Sequence, residues 1–123
     1  MGIKEFFKFQ KSQNLQLSTS KRRDFIMSSS PAVILNNIPS SLRTNGQTVA
    51  DVVLGSKTGK EMGVAFWKIH QSQPKFMIVF KHKDDRDRWI KTSPILKRFM
   101  MTHQVRITLI HYHRDRDLVI AED

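Results

Sequence analysis

The apolar patterning of the chain predicts a single α+β domain with elements in the order β-α-β-β-α-β. Three observations carry this. Strand-like apolar runs recur near residues 32–38, 63–70, 75–80 and 105–112. Helix-spaced apolar residues lie between the first and second runs and again between the third and fourth. The length of 123 residues suits one hydrophobic core and is short for two.

Taken in order, Ala32 to Ile38 reads Ala-Val-Ile-Leu-Asn-Asn-Ile and is closed by Pro39, which suits a buried central strand. Gln47 to Leu54 spaces Val49, Val52 and Val53 for one helix face, and Gly55 supplies the stop. Gly63 to His70 reads as the second strand and Lys75 to Phe80 as the third, with Phe76, Ile78 and Phe80 on one side and Gln71-Ser72-Gln73-Pro74 as the turn between them. Asp84 and Asp85 are natural caps for a helix carrying Trp89 and Ile90. Pro94 breaks that helix or opens a second turn through Leu96, Phe99 and Met100. Val105 to Tyr112 alternates as a fourth strand, and Leu118-Val119-Ile120 supplies a short final strand or a docked tail. This order is the split βαβ, or ferredoxin-like, arrangement.

Residues 1–30 differ from the rest, being rich in Ser, Gln and Lys, with a Ser run at 28–30 before Pro31. They are expected to form a basic, partly flexible N-terminal arm, and residues 31–123 the α+β domain. Within the arm, Ile3, Phe6 and Phe7 have the spacing of a short amphipathic helix, with Lys4, Lys8 and Lys11 around its other side. Such a helix could seat on an anionic membrane through Phe6 and Phe7. Alternatively, these aromatics cover an open edge of the domain's own core.

Composition narrows the function classes. Lys and Arg number 21 against 11 Asp and Glu, a net charge of +10 with a pI near 10.3. A surplus of this size attracts polyanions through counterion release, so nucleic acid leads the expected partners and an anionic membrane surface follows. The absence of cysteine excludes disulfides, thiolate nucleophiles and sulfur-ligated metals. With no signal peptide in the N-terminal sequence and no long apolar stretch, the expected location is intracellular, in cytoplasm or nucleus.

The first and third strands carry a family likeness. Val33-Ile34-Leu35-Asn36-Asn37-Ile38 is similar to the first-strand hexamer of the RNA-recognition motif, and Gln73 to Phe80 is similar to its third-strand octamer at Ile78 and Phe80. The resemblance covers about residues 31–113 and implies a ferredoxin-like, RRM-like sandwich with a sheet face turned to RNA. At the positions where that family carries base-stacking rings, this chain has Ile34, Lys75 and Met77. The stacking contribution of about 1–3 kcal/mol per base would therefore be missing. The resemblance then implies either binding by charge or a sheet that holds a protein partner.

Other motifs point away from catalysis. Gly55-Ser56-Lys57-Thr58-Gly59-Lys60 looks like a phosphate loop, but its second Gly comes early and Lys60 is followed by Glu61, so the cradle and the magnesium ligand are lacking. His111 and His113 share one strand face, which gives two metal ligands; a third would have to come from His70, His82 or His103, and surface histidines on a basic face are the expected reading. The clusters Asp84-Asp85-Arg86-Asp87-Arg88 and Arg114-Asp115-Arg116-Asp117 alternate in sign and are expected to pair locally in solvent.

The expectation is thus a non-enzymatic binder of RNA or single-stranded nucleic acid without cofactor or metal. Its candidate contacts are Lys21, Arg22 and Arg23 in the arm, Lys57 and Lys60 in the loop, and Lys68, Lys75, Met77, Lys81, Lys83, Arg86, Arg88 and Arg106 on or beside the sheet. Trp67 and Trp89 are expected in the core. The alternative is a structural or assembly protein of viral matrix or accessory type, contacting a membrane, a protein partner or further copies of itself.

Overall fold

The computed structural model describes residues 5–8, 27–55, 62–70 and 72–122. Nine elements follow in sequence: β1 Glu5–Lys8, β2 Ser30–Asn36, α1 Gly46–Leu54, β3 Val64–Ile69, β4 Lys75–Phe80, α2 Lys83–Thr92, α3 Pro94–His103, β5 Arg106–His113 and β6 Leu118–Ala121. A 3-10 turn, Ser40–Leu42, links β2 to α1.

Among the described residues the strands form one antiparallel sheet in the order β1-β6-β5-β2-β4-β3. Four adjacent strands, β5-β2-β4-β3, run fourth, first, third, second among the sequence-expected strands, which is compatible with the ferredoxin-like class. Val33 faces Ile78 on one side and Leu109 on the other, and Leu35 faces Phe76 and Ile107. These apolar cross-strand partners fix the register, because a slip of one residue would turn each strand's inward set outward.

The helices begin and end where local chemistry requires. Asn45 caps α1, its side chain accepting from the Gln47 amide at 2.9 Å, and Gly55 follows with φ 81°, in the left-handed region that favours glycine. Asp84 and Asp85 lie in the first turn of α2, whose cap position is His82; the expected caps therefore act on the helix dipole and not as the cap itself. Ser93 ends α2 and caps α3, its hydroxyl accepting from the Leu96 amide at 3.1 Å, with Pro94 at the start of the new helix.

The helices cover one sheet face. Val33, Leu35, Phe76, Ile78 and Phe80 meet Val49, Val53, Trp89, Leu96 and Phe99 in the main core, with Trp67 packed against it. Each of the larger side chains contributes about 1.5–3 kcal/mol by leaving water. Both tryptophans are therefore core residues, as expected from their spacing.

The opposite sheet face is also apolar. Ala32, Ile34, Met77, Val79, Ile110, Tyr112 and Val119 form a second buried cluster, and Phe66 packs against it. The Phe66 and Tyr112 rings meet edge-on at 5.9 Å between centroids, and the Arg114 guanidinium lies 4.9 Å from the Phe66 ring centre.

One expectation for the N-terminal segment is corrected. Glu5–Lys8 is a strand, pairing antiparallel with β6 through Glu5 and Ile120, Phe7 and Val119, and Lys8 and Leu118. Four residues with two adjacent aromatics satisfy an extended backbone as well as a helical turn, and the free edge of β6 supplies backbone partners that a lone turn would lack. The helix proposed to present Phe6 and Phe7 to a membrane is thus absent at this position, and the segment is part of the sheet.

Candidate nucleic-acid interface

Strand parity places Asn36, Lys75 and Arg106 on the same sheet face as Ile34 and Met77. They also form a cross-strand row, since Asn36 pairs with Lys75 on one side and Arg106 on the other. Arg106 is exposed, and Asn36 and Lys75 are half-buried. The Asn36 amide donates to Thr108 Oγ1 at 3.0 Å and to the Arg106 carbonyl at 3.2 Å, which fixes the middle of the row. Burial lowers the Lys75 ammonium from its ordinary pKa. The row presents two cationic side chains flanking a carboxamide at one end of the sheet.

Further up the same face, Met77 is completely buried. The cluster containing Phe66 and Tyr112 occupies the area that the sequence reading left open, so Met77 is not a surface on which a base can lie. Met77 therefore leaves the candidate set.

Arg86 leaves it for a different reason. Its side chain is completely buried, donating from Nη1 to the carbonyls of Ala32 at 3.2 Å and Ile110 at 3.3 Å, and lying 2.7 Å from Glu122. The charge cluster 84–88 is thus not uniformly solvated, because helical spacing turns Arg86 inward beside Trp89 while Arg88 remains outside.

The remaining sequence candidates divide by position. Lys68 is engaged, its Nζ 3.3 Å from both Asp117 Oδ1 and the Tyr112 hydroxyl, while that hydroxyl donates to the same carboxylate at 2.7 Å. Lys81 and Lys83 are exposed at the far end of β4, roughly 20 Å from Lys75 at about 3.3 Å per strand residue. Lys83 pairs with Glu122 at 3.3 Å, and Arg88 with Asp85 at 3.7 Å. Lys75 and Arg106 are therefore brought together, whereas Lys81, Lys83 and Arg88 belong to another region. Lys21, Arg22, Arg23, Lys57 and Lys60 lie outside the described residues.

The sequence reading missed a second group of cations. From Arg88 to Arg114 the chain contains Arg88, Lys91, Lys97, Arg98, Arg106 and Arg114 and no Asp or Glu. Lys91, Lys97 and Arg98 stand exposed on α2 and α3. Among the described residues no ion pair involves Lys97 or Arg98. The signal was legible as an acid-free stretch, but the candidates were sought by proximity to strands and aromatics.

Among the described residues no cluster of three His, Asp or Glu is disposed to hold a metal, and no helix is long and apolar enough to cross a membrane. Comparison with protein-family models, curated proteins and solved structures finds no match for this chain.

Proposed function

We propose that this domain is a non-enzymatic nucleic-acid-binding protein that holds RNA or single-stranded DNA through phosphate contacts, as a degenerate relative of the RNA-recognition motif. The observation that carries the reading is the acid-free, cationic stretch from Arg88 to Arg114, which includes the exposed Arg106 beside Asn36 and Lys75. The adjacent order β5-β2-β4-β3 supports the family likeness at the level of topology. Phosphate recognition needs no stacking ring, and the burial of Ile34 and Met77 favours backbone contacts over base reading. The Asn36 carboxamide adds a polar group between the two cations of the row.

The test is fluorescence anisotropy with labelled oligo-U and oligo-dT at low and moderate salt. The reading expects binding that weakens steeply with salt and differs little between the two oligonucleotides. Lys75→Ala combined with Arg106→Ala should reduce the logarithmic salt slope by up to about two contacts' worth. No binding at low salt, or a slope untouched by the double substitution together with Lys97→Ala and Arg98→Ala, overturns it.

A further inference from the structure

α1 and α3 lie side by side on the helical layer, and between them runs a groove of about 430 Å³ lined by Val52, Ile95, Arg98, Phe99, Thr102 and His103. Val52 is 41% exposed and Ile95 45% exposed, so the groove leaves two large aliphatic side chains in water although the main core lies directly beneath. Phe99 forms its floor, buried to 4% exposure, with its ring 4.9 Å from that of His103.

The α3 side of this groove is cationic. Arg98 is part of the lining, Lys97 is its neighbour on the exposed side of α3, and the helix has no acidic residue. On the α1 side Asp51, next to Val52, is an exposed carboxylate that accepts from the Gln47 side chain at 2.8 Å, so the cationic margin belongs to α3. An apolar slot with a cationic margin is complementary to an anionic segment that carries an apolar anchor.

We infer that the groove between α1 and α3 docks an acidic segment of a protein partner, one bulky apolar side chain seating against Val52, Ile95 and Phe99 and flanking carboxylates meeting Arg98 and Lys97. The other occupants fit less well. A second copy of this chain would bring another net charge of +10 to the same margin. A lipid surface would rest on projecting side chains and leave the concavity unfilled. An oligonucleotide would find phosphate partners in Arg98 and Lys97 but would leave the aliphatic walls of Val52 and Ile95 without an apolar group to cover them. The inference shares Lys97 and Arg98 with the nucleic-acid reading and differs from it in requiring the apolar walls of the groove, which Ile95→Ser probes alone.

The experiment uses the full chain and a short fluorescein-labelled peptide of Glu and Asp with one central Trp, compared with the same peptide carrying Ser in place of Trp. Anisotropy should give binding at least about tenfold tighter for the Trp peptide, and Ile95→Ser and Arg98→Glu should each weaken it by about tenfold or more. Both positions are exposed, and thermal melting verifies that the variants remain folded. Amide NMR shifts induced by the Trp peptide should centre on Val52, Ile95 and Thr102. Absence of binding, equal binding of the two peptides, or insensitivity to Ile95→Ser overturns the inference. So does self-association that Ile95→Ser abolishes, or protection of Ile95 by anionic vesicles but not by the peptide.

Discussion

Arg86 Nη2 lies 2.7 Å from Glu122 Oε2, joining the buried side of α2 to the residue that follows β6. The same guanidinium binds the carbonyls of Ala32 and Ile110, which are themselves cross-strand partners of β2 and β5. The Glu122 amide donates to the Leu109 carbonyl at 2.9 Å, which holds its carboxylate in reach. One charged group therefore binds the helical layer to the sheet at the edge of the main core. Replacing it by Met should cost about 3–5 kcal/mol, because the carboxylate is left in a poorly solvated position and two buried carbonyls lose a donor. Urea unfolding of Arg86→Met gives the value, and a loss below about 1 kcal/mol would refute the buried-pair account. Glu122→Gln should cost less, since Asp87 also reaches Arg86, at 3.0 Å.

Gly63 has φ 79°, and a Cβ at that position would lie 2.5 Å from Asp85 Oδ2. Its carbonyl accepts from the Lys81 amide at 2.9 Å, which ties the start of β3 to the end of β4. Gly63→Ala should destabilise the domain by about 1–3 kcal/mol, measured as a lowered midpoint of chemical denaturation. Asp85→Ala in the same chain should recover the steric part and leave the backbone part.

Tyr112 is the only tyrosine of the chain, so its ionisation can be followed directly by ultraviolet absorbance. Burial, reinforced by the hydrogen bond to Asp117, raises its pKa well above the ordinary phenol value. The folded protein therefore holds a proton that the unfolded chain releases near pH 10. Stability is full below that pH and declines as the pH rises above it. Native protein should show no phenolate signal until it is well past pH 10 or unfolding, and Tyr112→Phe should lose the alkaline dependence. A normal phenol titration in the folded state would refute the clasp formed by Lys68, Tyr112 and Asp117.

His70 Nδ1 accepts from the amides of Ser72 at 3.1 Å and Gln73 at 3.0 Å, organising the turn between β3 and β4. Burial first, and then the nearby Lys75, lower its pKa, with Arg43 acting in the same direction and Asp117 opposing. A protonated ring would lose both acceptor bonds. The unfolded chain takes up this proton at a higher pH than the folded one, so the stability from neutral His70 is lost as pH falls below about 6.5. A two-dimensional NMR titration should place His70 below the usual imidazole value, and His70→Ala should cost about 1–2 kcal/mol at neutral pH.

The two proposed surfaces should be separable. Lys75→Ala with Arg106→Ala should weaken oligonucleotide binding and leave the acidic Trp peptide bound as before, while Ile95→Ser should do the reverse. Parallel anisotropy titrations of both probes on both variants check this. A common response would mean that a single surface serves both ligands.

Most of the element order was legible because the periodicities were unambiguous: Lys75–Phe80 appears as a strand with the same limits the sequence reading assigned. The four strands β2 to β5 and the break at Pro94 follow from the same local chemistry. The second buried face was harder to see, although Val33-Ile34-Leu35 and Phe76 through Phe80 are continuous apolar runs, as strands covered on both sides tend to be. Placing Met77 among the candidate contacts followed a family pattern over that signal. Arg86 could not be placed from sequence, because its partners Glu122 and Ala32 are distant along the chain and only the closed sheet brings them together. Glu5–Lys8 was too short for its period to distinguish turn from strand, and its partner strand lies near the other end of the sequence.

That last pairing imposes an order on assembly. Glu5–Lys8 has no strand to bond with until Leu118–Ala121 has been made, and Glu122, which lies against the buried Arg86, follows directly after that strand. The pairing of the edge strand and the Glu122 contact to the interior charge therefore depend on the same short run of residues and belong to one event in assembly.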